Sequence, residues 1–135
     1  MVACEITKIR KIETLYLVGS ATRKTEISTV LSTLHPLINI APIEWLRFSA
    51  GKIPSELTQM FSETESQFIR AMCSAIFEWQ GLLDSATKVY RIHGNKDLII
   101  PAPDKVDLMI DGGHLISMTH AKQCVEFIRT TIPLN

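Results

Sequence analysis

The sequence predicts an α/β fold in which about three parallel strands are flanked by helices. Three short apolar runs have the length of strands, and they alternate with segments whose apolar residues recur at helical spacing. Connections of this kind are right-handed and produce a parallel sheet. The chain has 135 residues, of which 46% are hydrophobic. This composition suits a single domain over residues 1–135.

The first element is a short amphipathic helix at residues 1–10. Its apolar residues share one stripe: Val2, Ile6 and Ile9. A compact apolar run at 14–19 ends in Gly19 and is typical of a strand buried on both faces. A second helix is expected over 26–34 and ends before Pro36, because proline disfavours helical geometry in the residue before it.

Residues 36–85 have the pattern of a helical insertion, with short helical pieces between prolines and glycines. The longest piece is expected over 65–80. Its apolar face contains Phe68, Met72, Ala75, Ile76 and Trp79. The aromatic side chains of the insertion either pack on the core or line an apolar pocket, and helical spacing favours packing. They are Trp45, Phe48, Phe61, Phe68, Phe77 and Trp79.

The strand pattern resumes after the insertion. Strands are predicted at 88–93 and at 106–110, and a closing helix at 121–131. The second of these strands places Val106, Leu108 and Ile110 on one side. In the closing helix, Val125 and Ile128 are expected to face inward.

Charge and composition exclude several classes of partner. Fourteen basic residues balance fourteen acidic ones. The chain therefore has no net charge whose electrostatic field would attract nucleic acid, and nucleic acid is not expected as a partner. No apolar run approaches the roughly 20 residues that span a bilayer. The N-terminus lacks the apolar segment of a signal peptide, so a cytoplasmic location and no membrane association are expected. Three distant cysteines suit free thiols in a reducing compartment: Cys4, Cys73 and Cys124.

No cofactor and no metal ion are expected. The four histidines do not form a close ligand set, and solvated or core histidines are the simpler interpretation. They are His35, His93, His114 and His120.

Two short loops carry the residues best suited to catalysis. One begins at His93 and contains Asp97, and the other places His114 after two glycines. Functional groups gather at the carboxyl ends of parallel strands. We therefore expect a carboxylate oxygen of Asp97 roughly 2.6–3.2 Å from a ring nitrogen of His114. A carboxylate that accepts a hydrogen bond from one imidazole nitrogen leaves the other nitrogen free to act as a general base.

A structural interpretation of both loops stays open at this point. Asp97 can bond to backbone amides in an ordinary turn, and Gly112 and Gly113 can form a tight turn beside a half-buried His114. His93 is expected to brace the turn before Asp97 rather than to catalyse. The occurrence of the two loops after successive strands favours the acid–base interpretation.

These segments resemble the α/β-hydrolase family. The run V-Y-R-I-H-G-N-K-D-L-I-I-P at 89–101 resembles the strand and loop that deliver the family's triad acid. The run D-G-G-H-L at 111–115 resembles the loop that delivers its histidine. The run L-Y-L-V-G-S-A at 15–21 is similar to the strand after the nucleophile helix, and residues 36–85 are similar to a helical lid. The resemblance implies a partial α/β-hydrolase fold.

By this resemblance, Asp97 is the triad acid and His114 the triad base of a serine ester or acyl hydrolase. The family's nucleophile lies in a G-x-S-x-G elbow that precedes both residues, and the sequence contains no such motif. Residues 1–6 resemble the helix after the elbow. The resemblance thus implies a truncated domain that keeps acid and base and is inactive alone. The alternative is a non-catalytic module that self-associates or binds a small apolar ligand.

Self-association is expected at one edge of the sheet. In the family's strand order, residues 15–19 lie beside the nucleophile strand, so without that strand an edge with unpaired backbone groups remains. No lysine or proline interrupts its apolar side chains. The simplest arrangement is a two-fold homodimer in which two such edges pair antiparallel. Leu17→Pro is expected to cause aggregation, because it removes a donor from the shared edge.

Overall fold

A computed structural model describes residues 1–29, 59, 63–82 and 86–132 of the chain. Within these ranges the helices are α1 (Val2–Ile9), α2 (Ser66–Glu78), α3 (Ile116–Thr119) and α4 (Ala121–Thr131). The strands are β1 (Thr14–Val18), β2 (Lys88–Gly94) and β3 (Leu108–Ile110). A 3-10 turn covers Lys24–Glu26.

The three strands form one parallel sheet in the order β1-β2-β3. Leu15 is opposite Val89 in the first pair, and Ile92 is opposite Leu108 in the second. The predicted α/β class and the parallel sheet are confirmed. β1 is an edge strand among the described residues.

Helices cover both faces of the sheet, because strand side chains alternate between the faces. On one face, Cys4 of α1 joins the buried cluster of β1, and the segment directly after α2 packs against it. That cluster contains Cys4, Leu15 and Leu17, with Trp79, Leu82 and Val89 packed on it. On the other face, α3 and α4 cover a cluster of Ile92, Ile110, Ile116 and Cys124. β1 therefore has covered side chains on both faces, as its apolar run predicted.

The apolar stripe of α1 does not face the core. Val2 is 69% exposed and Ile9 is 79% exposed, while Cys4 is fully buried. The helix was predicted correctly, but a small thiol rather than the larger apolar side chains contacts the sheet. The stripe remains an exposed apolar surface on α1.

The inward face of α4 agrees with the prediction at Ile128 and differs from it at Val125. Val125 is exposed, whereas Cys124, Phe127 and Ile128 contact the core cluster. Phe127 additionally meets the ring of Tyr90 edge to face, with centroids 5.9 Å apart. The helix is therefore rotated so that the aromatic ring, rather than Val125, lies over β2.

The helix expected over 26–34 does not begin at Glu26. The backbone at Ile27 is extended, with φ −76° and ψ 141°, and the preceding residues form only the 3-10 turn. Glu26 uses its carboxylate to bind the amide and hydroxyl of Thr22 instead. Residues 30–34 of this prediction lie outside the described residues.

Most of the predicted lid at 36–85 lies outside the described residues. Its described part is mainly α2, which agrees with the helix predicted over 65–80. Trp79, which follows α2, packs on the β1 cluster, and its indole donates a hydrogen bond of 2.6 Å to Glu5. Phe68 and Met72 are exposed, so the predicted apolar face packs on the sheet only near its C-terminal end.

Backbone pairing shows which groups of β1 remain at the free edge. The amide of Lys88 donates to the carbonyl of Glu13, and the amide of Gly19 donates to the carbonyl of Ile92, both at 2.9 Å. Odd-numbered residues of β1 therefore face β2, because successive residues of a strand point to opposite sides. The expectation for Leu17→Pro needs correction, since Leu17 lies in the β2 pairing. Within the part of the chain that the structure describes, the edge of β1 away from β2 carries the backbone groups of Thr14, Tyr16 and Val18 instead.

The three cysteines are free thiols, with Cys4 and Cys124 buried and Cys73 half-buried. Among the described residues, no helix combines the length and the apolar character needed to cross a membrane.

Candidate acid–base site

The turn after β2 holds the side chain of Asp97 inside the protein. The amide of Asp97 donates to the carbonyl of Gly94 at 3.3 Å, which closes the turn. Asp97 Oδ1 then accepts the backbone amides of Ile99 and Ile100, each at 2.9 Å. The residue is only 5% exposed. The turn interpretation is therefore correct for one carboxylate oxygen and leaves the other available.

The second carboxylate oxygen meets the loop after β3. Asp97 Oδ2 lies 2.9 Å from His114 Nδ1, within the predicted range. The His114 side chain is 24% exposed, so its ring can be reached from the surface. The two predicted residues are brought together, while their catalytic role stays a prediction.

The two loops are joined directly by their backbones. The amide of Lys96 donates to the carbonyl of Gly112, and the amide of Asn95 donates to the carbonyl of Ile110, both at 2.9 Å. Gly94 approaches the Gly112 and Gly113 carbonyls so closely that a Cβ atom at Gly94 would overlap them. Glycine is thus required at this crossing, and the crossing fixes the distance between the acid and the histidine.

Hydrogen bonding keeps Asp97 ionised. Burial by itself would raise the pKa of this carboxyl group, but hydrogen bonds from His114, His93 and the Ile100 amide outweigh it and hold the pKa well below its usual range. An ionised carboxylate only accepts hydrogen bonds. His114 Nδ1 must therefore carry the proton, which leaves Nε2 of a neutral ring as the basic nitrogen.

A second histidine touches the same carboxylate. His93, on β2, is 1% exposed. Its Nε2 lies 2.8 Å from the Ile100 carbonyl and 3.3 Å from Asp97 Oδ2. Sequence reasoning assigned His93 to the turn and missed its contact with the acid. The spacing of four residues between His93 and Asp97 was the available signal.

No family model, curated protein or solved structure matches this chain.

An ion pair between β2 and the loop after β1 lies beside the site and was also missed. Arg91 binds both carboxylate oxygens of Glu26, at 2.9 and 2.7 Å, and contacts the Ser20 carbonyl at 3.3 Å. Burial alone would raise the pKa of Glu26, but hydrogen bonds from Arg91 and Thr22 lower it to about 2. The pair links the 3-10 turn after β1 to the middle of β2, and nothing in the local sequence pattern indicates it.

The described residues contain no group of three or more His, Cys, Asp or Glu side chains arranged to hold a metal ion. The chemistry that the described geometry offers is proton transfer at His114 Nε2. Protonation of that nitrogen creates an imidazolium, and the ionised Asp97 stabilises this charge across a 2.9 Å hydrogen bond.

Proposed function

We propose that this chain carries the acid and base of a serine ester or acyl hydrolase related to the α/β-hydrolases. The observation that carries the proposal is the 2.9 Å hydrogen bond between the buried Asp97 and the partly exposed His114. Parallel strands β2 and β3 present these residues in the chain order acid then histidine, which is the order of the family's triad. A cytoplasmic location belongs to the same proposal.

In the proposed reaction, His114 transfers one proton in each half of the cycle. His114 Nε2 accepts the hydroxyl proton of a serine as its oxygen attacks the acyl carbon, and then donates that proton to the departing alcohol. Water repeats the sequence on the acyl-enzyme and releases the acid. Asp97 remains ionised throughout and stabilises the imidazolium. The serine must come from a G-x-S-x-G elbow outside the 135 residues, because the sequence lacks that motif.

The protonation state of His114 tests the assignment of acid and base. In ¹⁵N-edited NMR spectra of the neutral ring, Nδ1 should carry hydrogen and Nε2 should not. Asp97→Asn should remove this preference, because an amide can donate to Nδ1 and thereby place the proton on Nε2. A wild-type ring protonated on Nε2 would contradict the proposed role of His114.

The isolated chain should be inactive as an esterase. Acid and base without the nucleophile cannot form an acyl-enzyme, so purified protein should show no burst and no turnover of p-nitrophenyl acetate beyond an imidazole background. His114→Ala should leave that rate nearly unchanged, with His120→Ala as the matched control. Turnover that His114→Ala abolishes and that a serine-directed phosphonate inhibits would show that the chain contains its own nucleophile.

The alternative function, a non-catalytic self-associating module, is favoured by one specific observation. The apolar stripe of α1 is exposed, and α1 packs through Cys4 on the edge strand β1. Exposed apolar surface and a free strand edge are both features of interaction sites. A formal net charge of zero means that no net charge opposes the association of two copies. We propose a two-fold homodimer through this edge, and a small apolar ligand under the lid belongs to the same alternative.

The dimer should have a mass near twice the 15.2 kDa of the chain in light scattering at micromolar concentration. The double variant Ile6→Lys with Ile9→Lys places charges on the stripe, so it should shift the population to monomer without unfolding it. Met118→Lys is the control, because Met118 is exposed but lies on α3 at the opposite face of the sheet. A folded wild-type monomer would contradict the proposed dimer.

A further inference from the structure

The carboxylate of Asp97 has two imidazole neighbours, and the proposed reaction uses only one of them. His114 Nδ1 lies 2.9 Å from Oδ2, and His93 Nε2 lies 3.3 Å from the same atom. Oδ1 is already occupied by two backbone amides. Every described contact of this carboxylate therefore comes from the acid loop, from His114 or from His93.

The proton of His93 can be assigned from its neighbours. Nε2 faces the Ile100 carbonyl at 2.8 Å and the ionised carboxylate of Asp97, and both groups only accept hydrogen bonds. Nε2 therefore carries hydrogen and donates. Nδ1 is buried without a hydrogen-bond partner among the described residues. The polar contacts of this buried ring are thus concentrated at Nε2.

We propose that His93 is a positioning residue that holds Asp97 in the orientation His114 needs. This inference rests on the proposed function, because it concerns the acid of the same site. Asp97 and His114 both lie in loops, whereas His93 belongs to β2, which pairs with strands on both sides. The Nε2–H of His93 ties both the carboxylate and the Ile100 carbonyl to the sheet.

The arrangement fixes the plane of the carboxylate. Backbone amides hold Oδ1. The contact of His93 with Oδ2 restricts rotation of the carboxylate about the Cβ–Cγ bond of Asp97. A carboxylate held in this way keeps its lone pair aimed at His114 Nδ1 while the ring changes charge. Burial alone would lower the pKa of His93, but its hydrogen bonds with Asp97 and the Ile100 carbonyl raise it, which agrees with a favourable contact to the ionised acid.

Solvent exchange of the His114 Nδ1 proton tests this role in the full chain. His93→Leu removes the donor but keeps an apolar side chain of similar bulk. It should accelerate exchange of that proton about tenfold, since hydrogen bonds to charged groups are worth about that factor or more. His93→Gln can place an amide donor near the position of Nε2, so it should restore the slow exchange.

His93→Asn provides the matched control. Its amide is polar and buried like that of glutamine but is one methylene too short to reach Asp97, so exchange should remain fast. Thermal melts of the two variants report any general loss of stability, and a purely structural role predicts equal exchange rates in variants of equal stability. Equal rates for glutamine and asparagine, or unchanged exchange in His93→Leu, would overturn the positioning role.

Asp97→Asn separates this inference from the proposed function. If Asp97→Asn leaves the His114 proton unchanged, the acid–base pair itself is wrong and both proposals fail. If Asp97→Asn removes the signal while His93→Leu does not affect it, the pair stands and only the role of His93 is rejected.

Discussion

Gly94→Ala should destabilise the protein by about 3 kcal/mol or more. Overpacking usually costs about 1–3 kcal/mol of unfolding free energy, and the cost is greatest where the neighbouring atoms cannot move. The added Cβ would overlap the carbonyl oxygens of Gly112 and Gly113 and lie 2.9 Å from the Gly112 carbonyl carbon. These are backbone atoms of the histidine loop, so relief requires the two loops to separate. The melting temperature should fall, and the Asp97–His114 hydrogen bond should be lost from NMR spectra.

Gly113→Ala is the matched control for this substitution. A Cβ at Gly113 would meet only the Lys96 carbonyl at 3.9 Å, which is ordinary van der Waals contact. It should therefore change the melting temperature little and preserve the hydrogen bond. Equal stability of the Gly94 and Gly113 variants would show that the loops do not cross at Gly94.

Glu26→Gln should lower the free energy of unfolding by about 3 kcal/mol at neutral pH. The substitution keeps the size of the side chain but leaves the guanidinium of Arg91 without its carboxylate partner in a site where the Arg91 side chain is only 12% exposed. The substitution also replaces one carboxylate oxygen by an NH2 group, which cannot accept a hydrogen bond. In the wild type, Oε1 of Glu26 accepts hydrogen bonds from Arg91 and Thr22. Urea unfolding measures the loss.

Acid gives this prediction a characteristic pH dependence. The pKa of Glu26 is lowered to about 2 in the folded chain, whereas the pKa of an unfolded glutamate is about 4.3. The stabilisation is therefore fully present above that unfolded value and disappears as the pH falls toward 2. The difference in unfolding free energy between the wild type and Glu26→Gln should shrink over this window. Asp97, whose pKa is also lowered, should keep both proteins acid-sensitive.

An exposed ion pair supplies the comparison. Lys96 Nζ lies 2.7 Å from Asp111 Oδ1, but the two side chains are 67% and 71% exposed. Solvent screens such a pair, so Asp111→Asn should leave the urea midpoint almost unchanged. A Glu26→Gln variant as stable as Asp111→Asn would mean that the Arg91 pair does not stabilise the fold.

The strands could be predicted because each is a short apolar run bounded by polar or turn residues. Leu15 and Leu17 are buried where such a run places them. A helix lies between β1 and β2, whereas a loop without a helix joins β2 to β3. The approach of Asp97 to His114 could be predicted for the same reason, since both residues follow parallel strands. Local pattern and sheet topology were sufficient for these features.

The orientations of the helices could not be predicted from periodicity. In α1, a stripe of larger apolar residues was available, yet Cys4 is the residue that contacts the sheet. In α4, Phe127 lies against the ring of Tyr90 while Val125 faces outward. Periodicity shows that an apolar face exists, whereas side-chain packing decides which face is buried.

Polar contacts between distant residues left little signal in the sequence. Glu26 was expected to start a helix, but Arg91 binds its carboxylate from a strand far along the chain. His93 lies only four residues from Asp97, and this short spacing was a local signal for a contact. The contact between His93 Nε2 and Asp97 Oδ2 nevertheless depends on the shape of the turn. Such contacts follow from the tertiary fold and are visible only once it is known.

The pairing of β1 with β2 has a consequence for the order of folding. Leu15 pairs with Val89, more than half the length of the chain away, and closing so long a loop carries a large entropic cost. β2, β3 and α4 are close in sequence, and the loops between them contain both Asp97 and His114. We therefore expect this C-terminal segment to organise first, and we expect β1, although synthesised earlier on the ribosome, to pair only once β2 has formed. Until then its apolar side chains are available to any chaperone that binds exposed strands.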